Sequence, residues 1–160
     1  MIVARRTNQT NQAKIKFKEA TLLTKEEAET LLTEKEKRYG CWWWLRSPGH
    51  GNDNAAGVDY DGSVSFLGRQ ANLYYGCVRP ALIIDKSNSD NFNIGDTFEI
   101  EKYEFKIINE NLAWLYKQDL GCYLFDEKLS DNYKSTNVYE DSDIKRYIDE
   151  WYKVLMKEEG

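Results

Sequence analysis

Two arginines lie in apolar stretches of the chain and could bind an anion. Arg46 follows a run of three tryptophans and a leucine, and Arg79 follows Cys77 and Val78. Guanidinium groups form paired hydrogen bonds with carboxylates and phosphates, so two of them close together could clamp such a ligand. They could instead pair with a buried carboxylate or donate to backbone carbonyls. Their apolar neighbours favour this second role, and we expect both arginines in the core.

A second group of polar side chains could bind calcium. Its oxygen atoms come from Asn52, Asp53, Asn54, Asp59 and Asp61. Carboxylate and amide oxygens are the ligands that Ca²⁺ prefers, but this spacing is not that of an EF-hand loop. Asn, Asp and Gly are also the ordinary residues of turns. We expect no metal and no cofactor, with Ca²⁺ as the alternative.

The cysteines and the histidine offer little for metal or nucleophilic chemistry. The chain has three cysteines without a CxxC pair, and a single histidine, His50, which argues against a structural zinc site. Cys41 and Cys77 lie on predicted strands and could meet, although reduced thiols are the usual state in a cytosol. His50 lies in a Gly-rich loop with no indicated partner. We therefore predict no catalytic residue.

Composition limits the class of protein and of partner. A chain of 160 residues is the size of one ordinary domain. Its formal net charge of −5 argues against a nucleic-acid partner, which requires a basic surface. No stretch approaches the ~20 apolar residues of a membrane span, and the N-terminus has no hydrophobic signal core. We expect a cytoplasmic protein with neither nucleic-acid nor membrane partners.

The elements predicted to position these residues are many short strands and two helices, a pattern typical of an α+β domain. Trp42, Trp43 and Trp44 would face both sides of one strand, so both of its faces need apolar cover. Thr24 and Glu27 form a capping box that predicts a helix as far as Arg38. Residues 1–14 are expected to be irregular. The other predicted elements are strands at 15–23, 76–84, 112–116 and 121–125, hairpins at 58–66 and 95–108, and a helix capped at Asp141 or Ser142 that places Trp151 in the core.

Several motifs resemble an uncharacterised bacterial and phage domain family. They are WWLRSPG at 43–49, AGVD at 56–59, the Asp61-Gly62 turn, VRPAL at 78–82 and LLTKEEA at 22–28. This family is in turn similar to C-type-lectin-like folds, which include the formylglycine-generating enzyme and the variable proteins of diversity-generating retroelements. The resemblance implies a C-type-lectin-like α+β fold with short-stranded, mixed antiparallel sheets.

The order of the parts differs from the order in that family. Residues 15–85 resemble its C-terminal half and residues 94–157 its N-terminal half, with 86–93 as connector. Because chains tolerate new termini in exposed loops, we predict one circularly permuted domain over 1–160. The alternative is a homodimer that exchanges halves.

The resemblance implies a non-enzymatic recognition module for a protein or glycan. Its ligand would bind the loops at 48–57, 68–76 and 126–139. The candidate ligand-binding residues are Tyr74, Tyr75, Tyr133, Tyr139, Asn52, Asp53 and Asn54. The alternatives are a phage-encoded inhibitor of a host or defence protein, and a formylglycine-type oxidase. The oxidase would require a paired-cysteine copper site, which Cys41 and Cys77 do not match.

Overall fold

A computed structural model describes residues 2–6, 12–87, 92–127 and 136–157, and side chains from Ile15 onward. The chain is α+β and divides into two compact units, each built from separate segments. The first unit comprises residues 1–21, 80–118 and 148–160, and the second comprises residues 22–79 and 119–147.

The first unit contains a seven-stranded sheet in which all neighbouring strands are antiparallel. Its spatial order is β2-β1-β9-β10-β11-β8-β3. The strands are β1 (Ile2–Arg6), β2 (Gln12–Ile15), β3 (Phe17–Thr21), β8 (Ala81–Ile84), β9 (Thr97–Ile100), β10 (Tyr103–Asn109) and β11 (Leu112–Leu115).

Aromatic rings form the core of this first unit. Phe98 is fully buried and stacks on Phe17 and on Phe105, with ring centroids 6.1 and 5.7 Å away. Trp151, on the C-terminal helix α3 (Asp143–Lys157), packs against Phe105 at 6.4 Å and is half-buried. Aromatic pairs at these distances add to the stabilisation from burial alone.

The second unit contains a mixed five-stranded sheet in the order β12-β7-β4-β5-β6. Only β4 and β7 run parallel; the other neighbours are antiparallel. Its strands are β4 (Trp43–Pro48), β5 (Asn54–Val58), β6 (Val64–Gln70), β7 (Gly76–Cys77) and β12 (Cys122–Tyr123), and its short helices are α1 (Lys25–Leu31) and α2 (Glu34–Lys37), with a 3-10 turn at Tyr139–Asp141.

The three consecutive tryptophans form the core of the second unit. Trp42, Trp43 and Trp44 are each at most 3% exposed. Both Gly57 and Gly76 lie directly against the Trp42 ring, where any Cβ atom would clash with it. These two glycines therefore let the indole approach the backbone of the neighbouring strands β5 and β7.

Several local predictions are confirmed. The capping box is complete, because Thr24 Oγ1 accepts from Glu27 N–H at 3.1 Å and Glu27 Oε1 accepts from Thr24 N–H at 2.8 Å. The Asp61-Gly62 turn joins β5 to β6, with Gly62 at a positive φ of 91°. Ser142 Oγ accepts from Lys145 N–H at 3.2 Å at the start of α3.

Two predicted elements are interrupted. The first helix ends at Leu31, because Thr33 and Glu36 form a second capping box that starts α2. The described segments therefore contain three α-helices rather than two. The predicted strand at 76–84 is two strands in different sheets, β7 and β8. Pro80 lies between them and has no N–H for a ladder hydrogen bond.

Other boundaries also differ from the prediction. Residues 2–6 and 12–15 form β1 and β2, although the polar N-terminus predicted irregular structure. Residues 54–57, predicted as loop, form most of the strand β5, and only Val58 was predicted to lie in a strand. Their small side chains Ala55 and Ala56 are fully buried. The composition of this segment is typical of turns and therefore predicted a loop, whereas its small residues pack closely within a strand.

Strands from both predicted halves of the chain pair within each sheet. β8 pairs with β11 in the first unit, and β7 pairs with β12 in the second. The single-domain assignment, with 86–93 as connector, stays a prediction, and residues 88–91 lie outside the described part of the chain.

Candidate functional site: an aromatic cleft beside three cysteines

A cleft of about 360 Å³ opens on the second unit, beside the short strand β12. It combines aromatic rings, two carboxylates and one thiol. Its lining residues are Tyr75, Cys122, Tyr123, Leu124, Glu127, Asp143, Ile144 and Tyr147. Concave sites that mix apolar area with a few convergent polar groups are the usual location of ligand binding.

Strand β12 forms one wall of this cleft and is tied to the tryptophan core. Trp44 Nε1 donates to the Tyr123 carbonyl at 2.8 Å. Cys122 and Tyr123 lie directly opposite Cys77 and Gly76 in the antiparallel pair. The buried indole therefore fixes the backbone that presents Cys122 and Tyr123.

The start of helix α3 also lines the cleft, where Tyr147 packs against Tyr123 of β12. The Tyr147 ring lies 4.2 Å from the Tyr123 ring, and its hydroxyl donates to the Leu120 carbonyl at 3.2 Å. Tyr123 remains 37% exposed. The paired rings give the cleft a rigid aromatic surface.

A buried carboxylate holds the start of α3 in place. Asp126 is fully buried; its Oδ1 accepts from Asp143 N–H at 3.2 Å and its Oδ2 from Thr136 N–H at 2.9 Å. A negative charge at a helix N-terminus is favourable because the helix dipole is positive there. This contact positions Asp143 on the cleft.

The charges that line the cleft are acidic. Glu127 is exposed, and Asp143 Oδ2 accepts from Glu127 N–H at 2.7 Å. Arg146 forms an ion pair with Asp143 and offsets part of this charge. Two carboxylates beside tyrosine faces form a surface suited to a cation.

Tyr75 lines the cleft, and the preceding residue, Tyr74, belongs to a stack of side chains that reaches the core. The Arg69 guanidinium lies 5.2 Å from the Tyr74 ring centroid and 4.5 Å from that of Trp42. Arg69 also pairs with Asp59 at 3.1 Å. Arg69 thus links the Tyr74 ring to the buried Trp42 ring, whereas Tyr75, at 67% exposed, is open to solvent.

Three cysteines meet at the β12 side of the cleft. Cys41 and Cys77 form a disulfide, with Cα atoms 6.6 Å apart. This spacing is within the range for disulfides, so the expectation of two reduced thiols is wrong. The exposed thiol of Cys122 lies 3.4 Å from Cys77 Sγ, and all three sulfurs lie within 4.8 Å of one another.

A buried arginine supports the loop before Cys122. Arg79 is 2% exposed, and its guanidinium lies 4.2 Å from the Tyr39 ring centroid and 4.9 Å from that of Trp43. The Tyr39 hydroxyl donates to Asp119 Oδ2 at 2.5 Å, and Asp119 Oδ1 accepts from Gly121 N–H at 2.7 Å. Arg79 therefore lies within the core, between two aromatic rings that can make cation–π contacts with it.

The surroundings of this group shift the pKa values of its members. Burial, then the hydrogen bond to Asp119, raises the pKa of Tyr39 to about 12. Burial lowers the pKa of Arg79 to about 10, although Tyr39 and Asp119 oppose that shift. Burial, followed by the charge of Asp119, raises the pKa of the Cys122 thiol.

The Tyr39 shift predicts a loss of stability in alkali. Between pH 10 and about 12 the unfolded Tyr39 ionises while the folded residue keeps its proton. At this residue the folded state then binds more protons, so the contribution of Tyr39 to stability falls as pH rises, whereas the lowered pKa of Arg79 acts in the opposite direction. From pH 10 upward, the free energy of unfolding by urea should fall more steeply in the wild type than in Tyr39→Phe. Parallel pH profiles for the two proteins would contradict this role for Tyr39.

The structure places the predicted ligand-binding residues in different environments. Tyr74 and Tyr75 are exposed beside the cleft. The predicted exposure of Tyr139 is wrong: it is 6% exposed, because its ring packs against Phe125 at 6.4 Å. Tyr133 lies outside the described residues.

The segment at 52–54 consists of two turn residues, Asn52 and Asp53, and the first residue of β5, Asn54. Its backbone is already used within the fold, since the Asn54 carbonyl accepts from Gly49 N–H at 2.6 Å and from Asn137 Nδ2 at 2.8 Å. Arg46, expected in the core, is half-buried.

Two of the five candidate calcium ligands, Asp59 and Asp61, have side-chain partners within the protein. Asp59 binds Arg69, and Asp61 accepts from Ser63 N–H at 2.9 Å and from its hydroxyl at 2.6 Å. These hydrogen bonds lower the pKa of Asp61. Within the described segments, the one group of three side chains close enough to share a metal ion is the cysteine cluster.

Comparison with known proteins identifies a family. The WWLRSPG motif forms β4, and the VRPAL motif runs from the residue after β7 into the start of β8. A family model for a domain of unknown function, DUF6273, matches residues 3–86. The chain belongs to the DUF6273 family. No curated protein and no solved structure matches it. In the parts of this DUF6273 member that are described, no helix is both long and apolar enough to cross a membrane.

Proposed function

We propose that this DUF6273 protein is a non-enzymatic recognition module whose cleft binds a basic side chain of a protein ligand. The observation that carries the proposal is the pair of exposed rings, Tyr75 and Tyr123, on a cleft that contains two carboxylates, with the exposed Tyr74 next to Tyr75 in the chain. Tyrosine is a preferred residue of binding hot spots, because it offers a large area at a low cost in conformational entropy.

The chemistry of the cleft favours a lysine or arginine of the ligand. A cation over a tyrosine face gains from the ring quadrupole, and Glu127 and Asp143 accept hydrogen bonds from its N–H groups. Arg69 already makes this contact with Tyr74 inside the protein. Because the net charge is −5, a basic ligand is also attracted over a longer range.

The proposal extends to the fold. We interpret the two units as parts of a C-type-lectin-like domain in which the two halves of the family's domain occur in permuted order. The motifs at 43–49 and 78–82 and the pairing of strands from both halves support this interpretation. A half-swapped homodimer, a phage-encoded inhibitor and a cytoplasmic location remain predictions. The disulfide favours an oxidising compartment over the cytoplasm.

A peptide-display selection tests the ligand class. Peptides selected by the wild-type protein should contain a lysine or arginine, and replacing that residue with alanine should weaken binding about tenfold or more. Tyr75→Ala and Glu127→Gln should each weaken the same peptides by a similar factor.

Tyr60→Ala is the matched control. Tyr60 and Tyr75 are both 67% exposed, but Tyr60 lies in the β5–β6 turn, whereas Tyr75 lines the cleft beside β12. Tyr60→Ala should leave affinity unchanged. Equal affinities of Tyr60→Ala and Tyr75→Ala would exclude the cleft as the binding site. If no peptide is selected and the protein binds to a glycan array, the ligand is a glycan rather than a protein.

A further inference from the structure

The cysteine cluster has a geometry that the recognition function does not use. Cys77 lies on β7, which has β12 on one side and β4 on the other. Its sulfur is bonded to Cys41, in the residues just before β4, and lies 3.4 Å from Cys122 on β12. The Cys77 sulfur therefore has a bonded partner, Cys41, and a thiol in near contact, Cys122.

We propose that Cys41, Cys77 and Cys122 form a thiol–disulfide exchange centre, in which the disulfide alternates between Cys41–Cys77 and Cys77–Cys122. Cys77 is the shared sulfur. Cys122 is the attacking thiol in one direction, and Cys41 is the attacking thiol in the other.

The exchange is balanced without any external oxidant. The Cys122 thiol loses its proton to solvent, and its thiolate attacks Cys77 Sγ. The Cys77–Cys122 bond forms while the Cys41–Cys77 bond breaks, and the electron pair leaves on Cys41 Sγ, which takes up a proton. One disulfide and one thiol are present before and after the step. Thiolate attack on a disulfide sulfur is the general route of such rearrangements.

The backbone can accommodate both pairings. Cys122 and Cys77 are direct partners in the antiparallel pair of β12 and β7. Residues in this relation have Cα atoms about 4.5–5.5 Å apart and Cβ atoms on the same face of the sheet, which is compatible with disulfide geometry. The backbone around Cys41 is tied to the same place, because Cys77 N–H donates to the Trp42 carbonyl at 2.8 Å.

The two pairings present different groups to the cleft. With Cys41–Cys77 paired, the exposed thiol of Cys122 lines the cleft. With Cys77–Cys122 paired, that thiol is consumed, β12 is bonded to β7, and the free thiol is on the half-buried Cys41. The exchange would thus change one wall of the cleft.

Disulfide mapping on three proteins tests the proposal. The oxidised wild type is incubated at about pH 8.5, where a larger share of thiol is ionised, then quenched with acid and labelled with N-ethylmaleimide. Mass spectrometry should find the label divided between Cys122 and Cys41, at a rate independent of protein concentration. Cys41→Ser, exposed to oxidised glutathione, should form the Cys77–Cys122 bond. Cys122→Ser is the matched control and should show no label on Cys41.

Three results would overturn the exchange. The first is a wild type labelled on Cys122 alone at every time of incubation. The second is a folded Cys41→Ser, with wild-type near-ultraviolet circular dichroism, that retains free or glutathione-bound Cys77 and Cys122. The third is label on Cys41 in Cys122→Ser, which would mean that Cys41 is released without Cys122. None of these results depends on whether the cleft binds a basic ligand.

Discussion

Replacing Trp44 with alanine should lower the free energy of unfolding by about 3–5 kcal/mol. The side chain is fully buried, and its ring meets Trp42 at 5.6 Å and Phe125 at 5.5 Å, both edge-on. Truncation would leave a cavity lined by these two rings. It would also leave the Tyr123 carbonyl without the indole N–H that it accepts at 2.8 Å. Urea unfolding of wild type and variant measures the difference.

Tyr60→Ala is again the control, because Tyr60 is 67% exposed and should change stability by only about 0.5 kcal/mol or less. If Trp44→Ala unfolded at nearly the same urea concentration as this control, Trp44 would not be part of the core. Trp44 also holds the backbone of Tyr123. Trp44→Ala should therefore weaken peptide binding even where the variant remains folded.

Local sequence signals predicted much of the framework. The capping box at Thr24 and Glu27, the Asp61-Gly62 turn and the apolar repeat of α3 each act within a few residues, so their chemistry can be recognised in the sequence. The burial of three consecutive tryptophans also follows from their size. These signals are sufficient for the α+β class.

The interruptions were harder to predict because each depends on the balance between two local signals. The helical pattern continues past Leu31, but Thr33 offers a second N-cap, and its hydrogen bonds with Glu36 start a new helix. The apolar run around Pro80 suggested one strand, whereas Pro80 separates two strands that join different sheets. β5 was missed because its Ala-Ala-Gly sequence lacks β-branched residues and is buried through small size.

The candidate site was only partly predictable. Tyr74 and Tyr75 could be selected as exposed aromatics in a polar connection, but the contribution of Cys122 and Tyr123 depends on strand pairing across 45 residues. No single-sequence pattern determines such a pairing. The useful signal was the odd number of cysteines, which indicates a spare thiol that can meet a disulfide.

Reduction of the Cys41–Cys77 disulfide should lower the free energy of unfolding by about 4 kcal/mol. The estimate follows from the loop it closes, since the two cysteines are 36 residues apart and a cross-link of that span restricts the unfolded chain. The measurement is urea unfolding of Cys122→Ser with and without dithiothreitol. This background contains only the one cysteine pair, and it changes an exposed side chain.

Adding Cys41→Ser and Cys77→Ser to the same background gives the control, whose stability should not respond to dithiothreitol and should match that of the reduced protein. Identical unfolding curves for oxidised and reduced Cys122→Ser would contradict the prediction, because the cross-link would then leave the stability unchanged. The loop enclosed by this disulfide carries β4, β5 and β6, together with Tyr74 and Tyr75. Reduction should therefore lower peptide affinity together with stability, whereas Tyr75→Ala should lower affinity alone.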